Sequence, residues 1–264
     1  MKEKEDMKKN KLIMMILVFC AVNAFSQVST RTSRAGIELP EITSSDSLVI
    51  EHTGFSLSFN LDTNCPNWVA WDLTEEEAYS TQFKRSNDFR GDTKIPPLHR
   101  VEGYDYKQTG FDRGHMCPAG DMKWKAEAMS ECFLMSNICP QVPVLNQQWW
   151  EHVESACRRW ASQEGCVYIC CGPIFDKRRD ARYIGDEVKI RVPDAFFKVV
   201  VSLQDKKEKG IGFFFKNDNS RQTMESAAKS IDQIEELTGY DFFSNLPDDI
   251  EIRIESLCKL SAWK

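Results

Sequence analysis

The sequence predicts an α+β fold in which a mixed or antiparallel central sheet is flanked by helices, and three patterns carry that reading. Phe55, Leu57 and Phe59 alternate with Ser56, Ser58 and Asn60, the period of two that buries one face of a strand. Residues 68–73 read as its hairpin partner. A continuous apolar run at 166–171, ended by Gly172 and Pro173, reads as a buried strand, and the segments 195–203 and 211–215 repeat it. Helices are expected over 121–133, after Pro118, and over 146–162. A further helix is signalled by Ser230 and Gln233, which form a capping box ahead of Ile231, Ile234 and Leu237, with Gly239 closing it. Between the strands and the helices, residues 86–110 are polar and contain Pro96, Pro97 and several glycines. They make a long irregular loop, a kind that tends to be functional. With 42% hydrophobic and 28% charged residues, the composition is that of an ordinary globular chain. No repeat or linker divides it, so residues 51–264 are expected to form one domain.

The N-terminal residues read as an export signal. Lys8, Lys9 and Lys11 precede an apolar run over 12–24, and the small residues Ala24 and Ser26 offer a cleavage point. The run is too short to span a bilayer comfortably. A signal peptide over 1–26, a secreted or periplasmic protein and no stable membrane insertion are therefore expected, with an uncleaved anchor as the rival. Bulky Phe19 ahead of Cys20 argues against a lipoprotein signal. Residues 27–50 are rich in Ser, Thr and Arg without a sustained period, which suggests a flexible leader or an edge segment.

Loss of residues 1–26 removes five Lys and three acidic residues and moves the formal net charge from −6 to −8. A chain of that sign does not attract polyanions broadly, so any affinity for nucleic acid requires Arg and Lys concentrated in one cleft. Nine cysteines remain after Cys20. In an exported chain disulfide bonding is their expected use, with at least one thiol left over. No pair has the C-x-x-C spacing of a zinc knuckle.

The stretch Asp112-Arg113-Gly114-His115 is the most informative. In an extended segment Arg113 and His115 point to one face. An imidazole and a guanidinium side by side suit phosphodiester hydrolysis, where a base activates water and a cation neutralises the charge gathering on phosphoryl oxygens. Asn146 opens the following helix, and Glu154 lies eight residues on. In a regular helix the two are about 80° apart around the axis and separated by about 12 Å along it. They suit a hydrated Mg²⁺, which retains waters and needs few protein oxygens, with the Asn146 amide binding directly and Glu154 through water.

These residues resemble the DNA/RNA non-specific endonucleases, a family that includes endonuclease G and shares a ββα-metal site. The likeness rests on the D-R-G-H run with Pro118 and Asp121, on Asn137 with Pro140-Gln141, on Leu145-Asn146-Gln147 and on 149–154. Weaker similarity extends from about Phe55 to Glu255. The resemblance implies a ββα-metal nuclease fold and a Mg²⁺-dependent endonuclease, with Mn²⁺ able to substitute, acting on single- or double-stranded DNA and RNA. By the same resemblance His115 is the general base, Asn146 the direct metal ligand, and Arg113 the stabiliser of the transition state. Asn137 holds and orients active-site groups, and Glu154 binds metal waters near the leaving oxygen. Arg85 resembles an upstream phosphate-binding arginine, with Arg90 as its rival. The reading leaves room for a homodimer.

Two other functions fit the same residues: a metal phosphodiesterase acting on small nucleotides, and a catalytically inactive homologue that binds nucleic acid. Several side chains have plainer readings. His52, His99 and His152 lack the company of His115 and are expected in surface or core roles. A salt bridge to Asp112 or Asp121 is the plain alternative for Arg113. Trp149 and Trp150 face different directions on a helix, so at least one belongs to the core. The acids of 248–255 read as a solvated face that repels nucleic acid.

Overall fold

In the computed structural model, which describes residues 36–43, 48–204 and 207–263, eleven strands follow one another in the order β1 Val49–Glu51, β2 Ser56–Asn60, β3 Cys65–Thr74, β4 Asp112–His115, β5 Ile138–Gln141, β6 Cys166–Ile174, β7 Tyr183–Ile184, β8 Ile190–Arg191, β9 Ala195–Ser202, β10 Lys209–Lys216 and β11 Ala228–Lys229. Seven of them form one sheet in the order β1-β2-β3-β6-β9-β10-β11, antiparallel at every pairing. Strands β4 and β5 form a separate antiparallel pair, as do β7 and β8. The helices are α1 Glu75–Tyr79, α2 Ala126–Glu131, α3 Glu151–Glu164, α4 Met224–Ala227, α5 Ile231–Thr238 and α6 Asp248–Glu255. The expected signal peptide lies outside the described residues. No helix among the described residues is long and apolar enough to cross a membrane.

The central strands are apolar on both faces because each face meets its own core. On β3, Val69, Trp71 and Leu73 enter one cluster while Trp68 and Ala70 enter another. On β9, Phe196 and Val200 join the first, and Phe197, Val199 and Val201 join the second. The first cluster is covered by α3, whose buried Val153, Ala156, Cys157, Trp160 and Ala161 recur at helical spacing. The second is covered by Ile231 and Ile234 of α5 and Ile254 of α6. The continuous runs at 166–171 and 195–203 have their physical cause here: a sheet sealed on two sides has no polar face to pattern.

Where the structure departs from the expected elements, side-chain bonding explains most of it. The helix expected over 121–133 shrinks to α2, preceded by a single 3-10 turn at Ala119–Asp121. Asp121 is fully buried, with its carboxylate held by the Trp71 indole (3.1 Å) and the Arg158 guanidinium (3.0 Å). Lys125 is extended at φ −145° and ψ 139°, which interrupts any helix through it. The helix expected from residue 146 is α3 preceded by a π-helical turn, Leu145–Trp150. The capping box at Ser230 and Gln233 forms as expected, and Gly239 closes α5 in the left-handed region at φ 77°. Part of the segment 27–50 is an edge strand: β1 pairs with β2 and buries Ile50.

The disulfides expected from the cysteine count do not form among the described residues: none of the nine cysteines from Cys65 to Cys258 is cross-linked, and seven are buried. Burial pushes Cys132 and Cys157 up to about 12 and Cys171 up to about 11, so they behave as small apolar side chains. A chain of this length buries enough surface to dispense with cross-links. Among the packed rings, Phe197 is 1% exposed and meets Phe242 at 5.3 Å between centroids. Phe197→Ala is expected to cost about 3–5 kcal/mol of unfolding free energy, measured as a lower urea midpoint with an unchanged slope.

Candidate active site

The strand pair β4–β5 and the helix that follows it position the site. His115 ends β4 opposite Ile138, and Gly114 sits opposite Cys139. A Cβ on Gly114 would come within 2.1 Å of the Gln141 side chain, so glycine is what lets that buried amide lie across the strand. The carbonyl of His115 accepts a hydrogen bond from the buried Trp150 indole (3.1 Å), tying β4 to the π turn ahead of α3. Trp150 therefore belongs to the core. Trp149 and His152 instead line a separate cavity of about 390 Å³ with Arg159 and Met224, away from the residues described next.

Asn137 is fully buried just ahead of β5. Its Oδ1 accepts from the Cys117 backbone N–H (2.9 Å), and its Nδ2 donates to the carbonyls of Cys117 and Cys132 (both 2.8 Å). Every polar atom of this side chain is spent on main chain. Asn137 thus fastens the segment after His115 to the end of α2.

The His115 ring is 7% exposed and packs edge-on against Phe133 (4.9 Å between centroids) and tilted against Phe89 (5.4 Å). Each of those rings carries a guanidinium: Arg113 lies 4.1 Å from the Phe89 centroid and Arg85 lies 5.0 Å from that of Phe133. Arginines are held here by aromatic faces, so their donors stay open to a ligand. Burial, reinforced by the charges of Arg85 and then Arg113, pushes His115 down to about 3. The ring is a neutral imidazole with a buried Nε2 that meets no partner among the described residues.

Arg85, Arg113, Phe89 and Asn146 share the wall of an open cavity of about 410 Å³, with Asp112, Tyr106 and Lys107 beside them. Three cations and one acid line it, the local concentration that a negatively charged chain requires. Arg113 pairs with neither Asp112 nor Asp121. Arg90, the rival of Arg85, is engaged by Asp88 (2.7 Å) and by the Ser130 carbonyl (3.0 Å) and does not reach the cavity.

Asn146 is oriented by a residue whose role the sequence reading missed. The Asp112 carboxylate accepts from Asn146 Nδ2 (2.9 Å) and Gln147 Nε2 (2.8 Å), which leaves the Asn146 amide oxygen directed away from it. A neutral hard oxygen held in place, with a carboxylate behind it and room for phosphate in front, fits a hydrated Mg²⁺. The signal was present in the first letter of D-R-G-H.

Glu154 does not line this cavity. It lies on α3 in a buried charge cluster with Lys198, Asp121 and Arg158, where burial raises its carboxyl to about 7 and Lys198 opposes the rise. Lys198 is a second omission. Fully buried on β9, its ammonium lies 4.5 Å from the Trp150 ring centroid and 4.9 Å from that of Trp71. In the sequence it is one Lys within an apolar run.

A strand ending in an imidazole, its antiparallel partner and a helix carrying an oriented amide make up a ββα site, the arrangement of a nuclease that opens phosphodiester bonds. The chain belongs to the DNA/RNA non-specific endonuclease family, whose family model matches residues 35–249, and it is an endonuclease. It is 32% identical over 222 residues to a nuclease of Nostoc sp., covering 80% of this chain and 78% of that protein. With the mitochondrial endonuclease G of Homo sapiens it shares 35% identity over 154 residues, 56% of this chain and 52% of that one. Among solved structures, one of the EndoG/EndoGI complex matches with a TM-score of 0.70 and 28% identity, over 76% of this chain and 87% of that chain.

The His115 imidazole is thus held well below the ordinary histidine value of ~6.5. Since burial and two cations disfavour the charged ring, the imidazole should stay neutral as pH falls through the ordinary histidine range. An NMR titration of the ligand-free protein is expected to show no protonation of His115 down to about pH 5. A midpoint near the unperturbed value would contradict the sealed position described here.

Proposed function

We propose that this chain is a secreted, Mg²⁺-dependent endonuclease that hydrolyses DNA and RNA phosphodiester bonds with little sequence preference, with His115 as general base. The observation that carries the reading is the neutral imidazole of His115 on an aromatic patch shared by two open guanidinium groups, beside the oriented amide of Asn146. Export rests on the pattern of residues 1–26.

A phosphate entering the cavity meets Arg85 and Arg113, whose charge offsets the density that builds on the phosphoryl oxygens. The same contact changes the base. Burial, with those two cations adding to it, holds the imidazole neutral in the free protein, and a phosphate dianion-like transition state that offsets the cations raises the ring's proton affinity at the moment a water must be deprotonated. His115 then takes the proton of the attacking water. Phe89 and Phe133 keep bulk water from solvating the ring.

Asn146 would hold the Mg²⁺ through its amide oxygen, with Asp112 fixing that amide. Bound there, the ion supplies charge neutralisation at the phosphate and the leaving oxygen. Glu154, on the same helix although outside the cavity wall, would act on that ion only through intervening waters when its carboxyl is ionised. All of these contacts are to phosphate, water or metal and none reads a base edge, so low sequence selectivity follows.

The decisive assay is nicking of a supercoiled plasmid. Wild-type protein with Mg²⁺ should nick and then linearise it, and EDTA should stop the reaction. His115→Ala is expected to lose activity by about 10²–10⁴-fold with an unchanged circular dichroism spectrum; near-wild-type nicking would remove the proposed base. Asp112→Asn should leave the fold intact and raise the Mg²⁺ concentration needed for half-maximal activity by about 10–100-fold. An unchanged Mg²⁺ dependence would sever Asp112 from metal binding.

A further inference from the structure

The side of the sheet opposite α3 carries a cluster that the cleavage chemistry does not use. Helices α5 and α6 lie close on β10 because Gly210 and Gly212 have no Cβ: one added at Gly210 would stand 2.9 Å from the Ile254 carbonyl oxygen, and one at Gly212 would stand 3.0 Å from that of Ser230. This close seating brings Asp232 and Glu235 of α5 beside Glu255 of α6. One carboxylate oxygen from each lies within 4.8 Å of the other two.

Three carboxylates this close repel one another when ionised. Among the described residues none of the three forms an ion pair: Arg253 of α6 turns to Glu208 (3.2 Å) and Lys209 to Glu164 (2.7 Å). Glu255 is only 6% exposed, contrary to the solvated face expected for 248–255, and its Oε1 is buried without a hydrogen-bond partner. It also sits in the last turn of α6, where the helix dipole presents partial negative charge. Glu235 has one fixed contact, accepting from the Phe242 backbone N–H (2.8 Å). Burial and then the surrounding acids drive Glu255 up to about 9, and burial with Asp241 and Asp232 raises Glu235 to about 7.

We propose that Asp232, Glu235 and Glu255 form a second divalent-cation site, selective for Ca²⁺ and separate from the cleavage site. Oxygens at the corners of an equilateral triangle of that side stand roughly 2.8 Å from its centre, and a small inward movement brings them to the ~2.3–2.6 Å of a Ca–O bond. Ca²⁺ tolerates irregular sets of carboxylates and accepts waters at the remaining positions. Mg²⁺ would require a tighter octahedron at ~2.0–2.1 Å. Bound there, the cation bridges α5 to α6 and removes the repulsion that opposes their packing on β10.

The test uses the full chain stripped of metal with EDTA and then titrated calorimetrically with CaCl₂. Wild type is expected to take up one Ca²⁺ more than the Glu235→Gln/Glu255→Gln variant, and Ca²⁺ should raise the melting temperature of wild type but not of the variant. The metal-free variant should melt no lower than wild type, because amides abolish the repulsion. Its plasmid nicking with Mg²⁺ should stay within about twofold of wild type. Asp232→Asn, at an exposed position, should weaken Ca²⁺ uptake by about tenfold and guards against misfolding of the double variant. Equal Ca²⁺ stoichiometry and equal melting response in wild type and the double variant would overturn the proposal, leaving a carboxyl cluster that holds only protons.

Discussion

The buried amide of Asn137 ties together three pieces of main chain. It bonds the backbone of Cys117 on both sides and the carbonyl of Cys132, so the end of α2, the chain after β4 and the start of β5 move as one body. His115 is the last residue of β4, and Trp150 holds its carbonyl from the other direction. The imidazole is therefore fixed through its backbone rather than through its ring. That leaves the ring free for chemistry, and its orientation comes from Phe89 and Phe133. Only a hydrogen bond accepted at its unprotonated nitrogen would occupy the lone pair it needs.

Electrostatics in this endonuclease work by segregation. The chain is negative overall, yet Arg85, Lys107 and Arg113 face one cavity with Asp112 as the only acid on its wall. The acids of α5 and α6 collect on the opposite side of the sheet. Between the two lies Lys198, sealed among Trp71, Trp150 and the acids Asp121 and Glu154. An unpaired ammonium in that place would be costly; two aromatic faces and the nearby carboxylates explain why the position tolerates it.

Much of the architecture was legible because it depends on local pattern. The strands at 55–60, 166–171 and 195–203 follow from alternation or continuity of apolar side chains, and α5 follows from a capping box and a glycine. The helix at 121–133 misled because its spacing was right while the decisive force was long-range: Asp121 bonds Trp71, fifty residues earlier, and Arg158, thirty-seven later. The site divides in the same way. Arg113, His115 and Asn146 stand out by residue type and spacing, with their roles assigned by the resemblance, whereas Arg85 comes from the resemblance alone. Asp112 and Lys198 were passed over because each acts through a neighbour from another part of the chain. Glu255 was misjudged because acidic residues in a short helix look solvated until two glycines on β10 bring that helix onto the sheet.

Handling of the molecule is eased because its described cysteines form no disulfide. A fold that contains no cross-link among its described residues is insensitive to the glutathione poise of its surroundings, so dithiothreitol should leave it intact and cytoplasmic expression should yield the same packing as export. Seven of its thiols are closed to reagents and Cys166 is half-covered, whereas Cys258 stands exposed. A maleimide dye would attach first at that position, just beyond α6, giving a single-site optical handle on the molecule.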